Sequence, residues 1–309
     1  MALRAVSPVM IILLLVAAGY FFGAKKWMVA EHKSFLEKFL VNLAIPCTCI
    51  NGFIKNLTMD ILRGSWKIIL VSFLGIAICT VLSAAIAKLI RLPRLRTGVF
   101  IAMGGISNVI FVGFPVITEL LGESNLVYAM LFLVANSPAS FMLCYAILPW
   151  SSQGEFKFGL RQIRKVFLNP PLIGIAAGIL LVVAGISLPS PISKTIEYLG
   201  GTVSPLALFY CGFIIYENGI KSIRFDRGMV AMLCIRFPLS IIVAYLLCYG
   251  LGVSAPASSV IVAEMAMPVM TTLVVLAKEC DADAEYAARG VVLSTLACLV
   301  VIPVLAVIL

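Results

Sequence analysis

Charge is scarce in this chain: only 12% of its 309 residues are Asp, Glu, Lys or Arg, and it has a single histidine, His32. It also lacks a Walker A sequence, a nucleophile elbow and a His-Glu-x-x-His pair, so nucleotide hydrolysis, α/β-hydrolase chemistry and zinc proteolysis have no residues to run on. No aromatic-basic pattern of a nucleic-acid-binding module is present, and the net charge of +9 does not call for nucleic acid as a partner. The nine cysteines are an odd number lying mostly inside apolar runs, which excludes a disulfide framework and makes them packing residues. Cys47-Thr48-Cys49 falls in such a run, far from His32, so no metal site is expected there.

What the chain has instead is apolar surface. Hydrophobic residues make up 62% of it, with a mean hydropathy of +1.12, more than a soluble core can hide. Ten runs approach the roughly 20 residues that a helix needs to cross a bilayer: 5–23, 35–53, 66–88, 97–120, 125–149, 169–187, 201–217, 228–250, 256–277 and 287–309. The sequence therefore predicts an all-α membrane protein with ten transmembrane helices. Lys25 and Lys26 follow the first run while only Arg4 precedes it, the wrong order for a cleaved signal. With that helix retained, the loops 24–38, 88–96, 155–168, 218–227 and 278–289 share one side and hold most of the 23 Lys and Arg. The positive-inside rule then puts both termini outside a plasma (cell inner) membrane.

The hydrophilic stretch 151–168 divides the chain into a first five-helix repeat, 1–150, and a second, 169–309. An odd number of helices per half makes the repeats inverted. Four pairs of similar segments recur in order, among them Phe114-Pro115-Val116-Ile117 with Met267-Pro268-Val269-Met270. Within the connecting loop, Phe156 to Lys165 reads as a short basic amphipathic segment on the membrane surface.

Helices four and nine carry the polar interruptions. Gly104-Gly105-Ile106-Ser107-Asn108 with Pro115 breaks one, and Glu264 with Pro268 breaks the other. Freed backbone groups at membrane depth are tolerated only where they line a cavity or meet a ligand, so the two breaks are expected to cross near the midplane beside a polar pocket. Gly105, Ser107, Asn108, Pro115 and Pro268 are thereby candidate substrate-binding residues. Asn136 and Ser137, with Pro138, interrupt helix five at the same depth and join them; Asn42 and Pro46 read as a structural kink. Glu264 is the candidate ion-coupling residue, with Ser107 and Asn108, because an ionisable group there must pair or bind a cation. Its alternative is a structural pair with Arg236, which in turn has the option of snorkelling to the interface.

Asn42-Leu-Ala-Ile-Pro46, Gly-x-x-Asn-x-x-x-x-Gly-x-Pro from Gly105 to Pro115, Asn169-Pro170-Pro171, Met267-Pro268 with Leu276-Ala277-Lys278, and Ser294-Thr295-Leu296 to Pro303 together resemble the auxin efflux carrier family across essentially the whole chain. That family looks like a distant relative of the bile acid:sodium symporters, whose crossover patterns are similar to residues 104–108 and 264–268. The resemblance implies a scaffold of helices one, two, six and seven and a transport bundle of the other six. It implies a permease for a small organic carboxylate such as malate, malonate or an auxin-like acid, working by alternating access with Na⁺ or H⁺ as coupling ion and no other cofactor. A sodium ion at Glu264, Ser107 and Asn108 would follow from the symporters. The short 151–168 segment implies a carrier without the regulatory loop of the plant members, and a homodimer is compatible with the sequence. From another class, a ligand receptor or channel built on the same fold stays open.

Overall fold

The computed structural model describes residues 2–154, 159, 164, 168–219 and 225–308, with side chains from residue 7 onward; the proposed amphipathic segment from Phe156 lies mostly outside them. Among the described residues the chain is helical throughout and holds no strand, only one isolated antiparallel bridge. The helices are α1 (Ala2–Ala24), α2 (Ala30–Phe39), α3 (Ile45–Asn56), α4 (Met59–Leu89), α5 (Arg94–Gly105), α6 (Phe114–Leu121) and α7 (Leu126–Gln153), then α8 (Pro170–Val183), α9 (Ser190–Gly201), α10 (Val203–Asn218), α11 (Arg227–Cys234), α12 (Ser240–Gly250), α13 (Ala257–Met265), α14 (Leu273–Glu279) and α15 (Ala284–Ile308). Among the described residues six helical stretches are long and apolar enough to cross a membrane: Ser7–Ala24, Met59–Leu89, Glu123–Gln153, Ser190–Asn218, Arg227–Gly250 and Ala284–Ile308.

Their ends are set locally. The Thr58 hydroxyl accepts from Ile61 N (3.3 Å) to start α4. The carboxylates of Asp226 and Asp283 do the same for α11 and α15 through Met229 N and Tyr286 N, both 2.8 Å. The lone histidine has an equally local use, since His32 Nδ1 accepts from Val29 N (3.4 Å) at the start of α2. The acidic loop before α15 caps that helix and also ties two others: Arg96 donates to Asp283 at 3.0 Å and Gln153 to Asp281 at 3.0 Å.

Among the described residues there are three π-helical turns: Leu40–Ala44 and Ile235–Leu239 join helix pieces end to end, and Val109–Gly113 leads into α6. Each sits beside or over a proline: Pro46, Pro115 and Pro238. A proline has no N–H and collides with the carbonyl four residues back, and a wider turn relieves the collision. Helix two is thus bulged at Asn42, whose amide returns to Lys38 O (2.8 Å), and not broken. Helix five departs further from expectation. It runs unbroken as α7 through Asn136, Ser137 and Pro138, with Ser140 donating to Asn136 O at 2.6 Å.

Without water in a bilayer interior, helices gain by close packing, and small residues permit it. Gly19 of α1 and Gly212 of α10 are reciprocal contacts: a Cβ on Gly19 would overlap the Phe209 backbone, and one on Gly212 the Val16 backbone. Eight of the nine cysteines are buried, as packing residues should be.

Candidate functional site

The two interrupted helices meet. α5 ends at Gly105 and the chain runs extended through Ile106 and Ser107; α13 ends at Met265 and the chain stays irregular to Thr272. Ser107 and Val269 form the antiparallel bridge, and Asn108 N donates to Pro268 O at 2.8 Å. The irregular backbone of each is thereby satisfied partly by the other.

Asn108 organises the first break. Its Oδ1 accepts from Phe111 N (3.3 Å) and its carbonyl from Val112 N (3.3 Å) and Gly113 N (3.0 Å), so it caps the π turn that leads into α6. Pro115 does not make this break. It lies seven residues beyond, in the first turn of α6, directly after the π turn that relieves its collision with the preceding turn. The partner of Pro268 at the crossing is accordingly Asn108, not Pro115. The second break has no cap of its own, and Ser294 of α15 supplies one, accepting from Val269 N at 3.0 Å.

Beside the crossing lies a cavity of about 100 Å³. Ser107, Asn108, Asn136 and Ser137 line it, together with Asn169, Thr272, Phe111 and Phe141. Asn136 Nδ2 reaches Ser107 O at 3.4 Å, and Asn169 Nδ2 donates to Ser137 Oγ at 2.7 Å, which brings the start of α8 to the middle of α7. Three buried polar atoms of the lining, Ser107 Oγ, Asn108 Nδ2 and Asn136 Oδ1, have no hydrogen-bond partner. Buried polar groups are normally paired, so three orphans around one cavity make it the candidate binding site. Asn169, Ser140 and Thr272 had no assigned role here in the sequence; Asn169-Pro170-Pro171 entered only as one of the motifs of the family resemblance.

The remaining candidates lie elsewhere. Gly105 does not line the cavity and packs against the Thr80 hydroxyl. Pro115 and Pro268 do not line it either. Glu264 is fully buried in the last turn of α13 with both oxygens unpartnered, and its carboxyl fills the space where a side chain on Gly113 would be. It therefore sits against the far end of the π turn that Asn108 begins. The Glu264–Arg236 pair weighed from the sequence is not made.

Arg236 does not snorkel. Fully buried in the Ile235–Leu239 turn, it donates to Gly104 O (3.1 Å) and to Met265 O. These are carbonyls in the last turns of α5 and α13, the groups a helix leaves unsatisfied at its C-terminal end. Both ends carry partial negative charge, and one guanidinium offsets the two.

A polytopic helical membrane protein whose two interrupted helices meet beside a polar cavity has the build of a membrane carrier. The chain belongs to the membrane transport protein family, the auxin efflux carriers, whose model matches residues 4–306. It is similar to an uncharacterised transporter of Methanocaldococcus jannaschii, 27% identical over 301 residues that cover 95% of each chain. A second uncharacterised transporter, from Methanothermobacter thermautotrophicus, is 28% identical over 308 residues covering 98% of each.

Proposed function

We propose that this protein is a secondary carrier for a small organic carboxylate, and that the substrate's carboxyl group binds in the cavity beside the crossing. The observation that carries the reading is the pair of buried donors there without a partner among the described residues, Ser107 Oγ and Asn108 Nδ2. Ser107 and Asn108 are donors, and among the described residues no Asp or Glu lines the cavity to repel an anion. About 100 Å³ holds a carboxyl head, three waters' worth at ~30 Å³ each. A larger cavity of about 370 Å³ between α3, α6 and the α9–α10 turn is lined by Glu119, Glu123 and Glu197, which makes it unfit for the same anion.

Glu264 is the proposed coupling group, for Na⁺ or H⁺. An ionised carboxylate with no donor within reach is costly at that depth, so it is stable only with a proton or a cation. Binding a cation there and an anion at the cavity would bias the same π turn from its two ends. The carrier is further proposed to consist of two inverted five-helix repeats, 1–150 and 169–309, joined by 151–168, in the plasma membrane with both termini outside and able to pair as a homodimer. Counterflow of labelled malate or malonate in proteoliposomes tests the function. Saturable exchange that collapses in Asn108→Ala is expected; conductance or binding without exchange would turn the reading to a channel or a receptor.

A further inference from the structure

At the end of the α4–α5 hairpin, away from the crossing, a cavity of about 460 Å³ is lined by Lys88, Arg91, Arg94 and Trp150 over an apolar floor that includes Ala84 and Ile101. We propose that this cavity binds the headgroup of an anionic phospholipid, its phosphodiester held by Lys88, Arg91 and Arg94.

All three cations are exposed, and none has an ion-pair partner among the described residues, although Arg96 on the same hairpin is paired with both Asp283 and Asp226. The hairpin thus neutralises the basic residue facing the protein and leaves three facing outward uncompensated. Arg94 is held in place, donating to Trp150 O at 3.0 Å with its guanidinium 5.9 Å from the indole ring. A tryptophan beside basic residues suits headgroup depth, where one end of the site is apolar and the other wet.

The path for the acyl chains is also present. Phe73, Ala77, Val81, Ala84 and Lys88 recur at spacings of three and four, so they form one ridge along α4. Phe73 is 50% and Val81 66% exposed, the condition of side chains that face lipid, and the ridge ends at Lys88. A soluble phosphate would use the cations and leave this ridge unexplained. A phospholipid uses both.

Trp150 provides a local reporter. In a Trp27→Phe/Trp66→Phe background it is the last of the chain's three tryptophans. Reconstituted with phosphatidylglycerol or phosphatidylcholine brominated on the acyl chains, the protein should show about a fivefold preference for the anionic lipid in quenching, the order expected from one basic residue at an anionic surface. Lys88→Gln/Arg91→Gln should bring that preference close to one, while Lys25→Gln/Lys26→Gln, another exposed basic pair, should leave it unchanged. Equal quenching by the two lipids in the parent would overturn the proposal. So would an equal loss in the control pair, or relief of quenching by inorganic phosphate beyond that by sodium chloride of the same ionic strength. Should the double variant fail to assemble, the parent's own preference and its response to phosphate decide the question.

Discussion

The two breaks that meet at the crossing are built differently. The first closes itself: Asn108 takes Phe111 N on its side chain and Val112 N and Gly113 N on its carbonyl, so one residue ends the extended stretch and starts the next helix. The second depends on its surroundings, with Val269 N held by Ser294 of α15 and Pro268 O by Asn108 N. Charge is divided as unevenly. The self-capped break carries only neutral amides and a hydroxyl, whereas the other carries Glu264, whose carboxyl is accommodated because position 113 is glycine. A break complete in itself can offer its spare donors to a ligand, while one assembled by neighbours can respond to what those neighbours do.

The residue shared by both breaks should show the largest effect. Arg236→Met leaves Gly104 O and Met265 O without a donor, about 1–3 kcal/mol for each buried group. A loss of about 2–6 kcal/mol in denaturant unfolding of the detergent-solubilised protein is therefore expected. A change below about 1 kcal/mol would mean the two helix ends are satisfied without the guanidinium, and Arg236 would not be the donor that serves both breaks.

Asn108→Ala comes next, removing a cap worth about 0.5–2 kcal/mol. Counterflow should be lost while the protein still folds and inserts. Uptake near the parent rate would leave the self-capped break a structural device only.

Ser294→Ala tests the borrowed cap. It should cost about 0.5–1.5 kcal/mol, the net value of one hydrogen bond, and slow transport less than Asn108→Ala does. If the two variants are equally damaging to transport, the contrast between self-capped and borrowed ends has no functional weight.

Glu264→Gln should change stability least, because neither carboxyl oxygen has a partner to lose. Its effect is on coupling: titrations of transport against Na⁺ and against pH should both become flat. A variant that keeps the parent's cation dependence in both would make Glu264 a packing residue.

The sequence alone was enough to establish a polytopic all-helical membrane protein of this family, because apolar runs of membrane length and the spacing of motifs along the chain are properties of composition and order. It also located the interruptions near 104–108 and 264–268, since glycine, serine, asparagine and proline weaken a helix wherever they fall. What it misassigned were the causes. Pro115 read as a breaker because proline usually is one, yet the helix passes through it by widening into a π turn just before it; Asn136 to Pro138 read as a third interruption, yet α7 continues through them. The partners of Arg236, Ser294 and Asn169 were not legible at all. Their hydrogen bonds span 132, 25 and 32 residues, and no local propensity specifies which of many distant carbonyls or hydroxyls a side chain will meet. Only the packed bundle decides that, because an unpaired polar group in the membrane interior costs more than almost any rearrangement that would pair it.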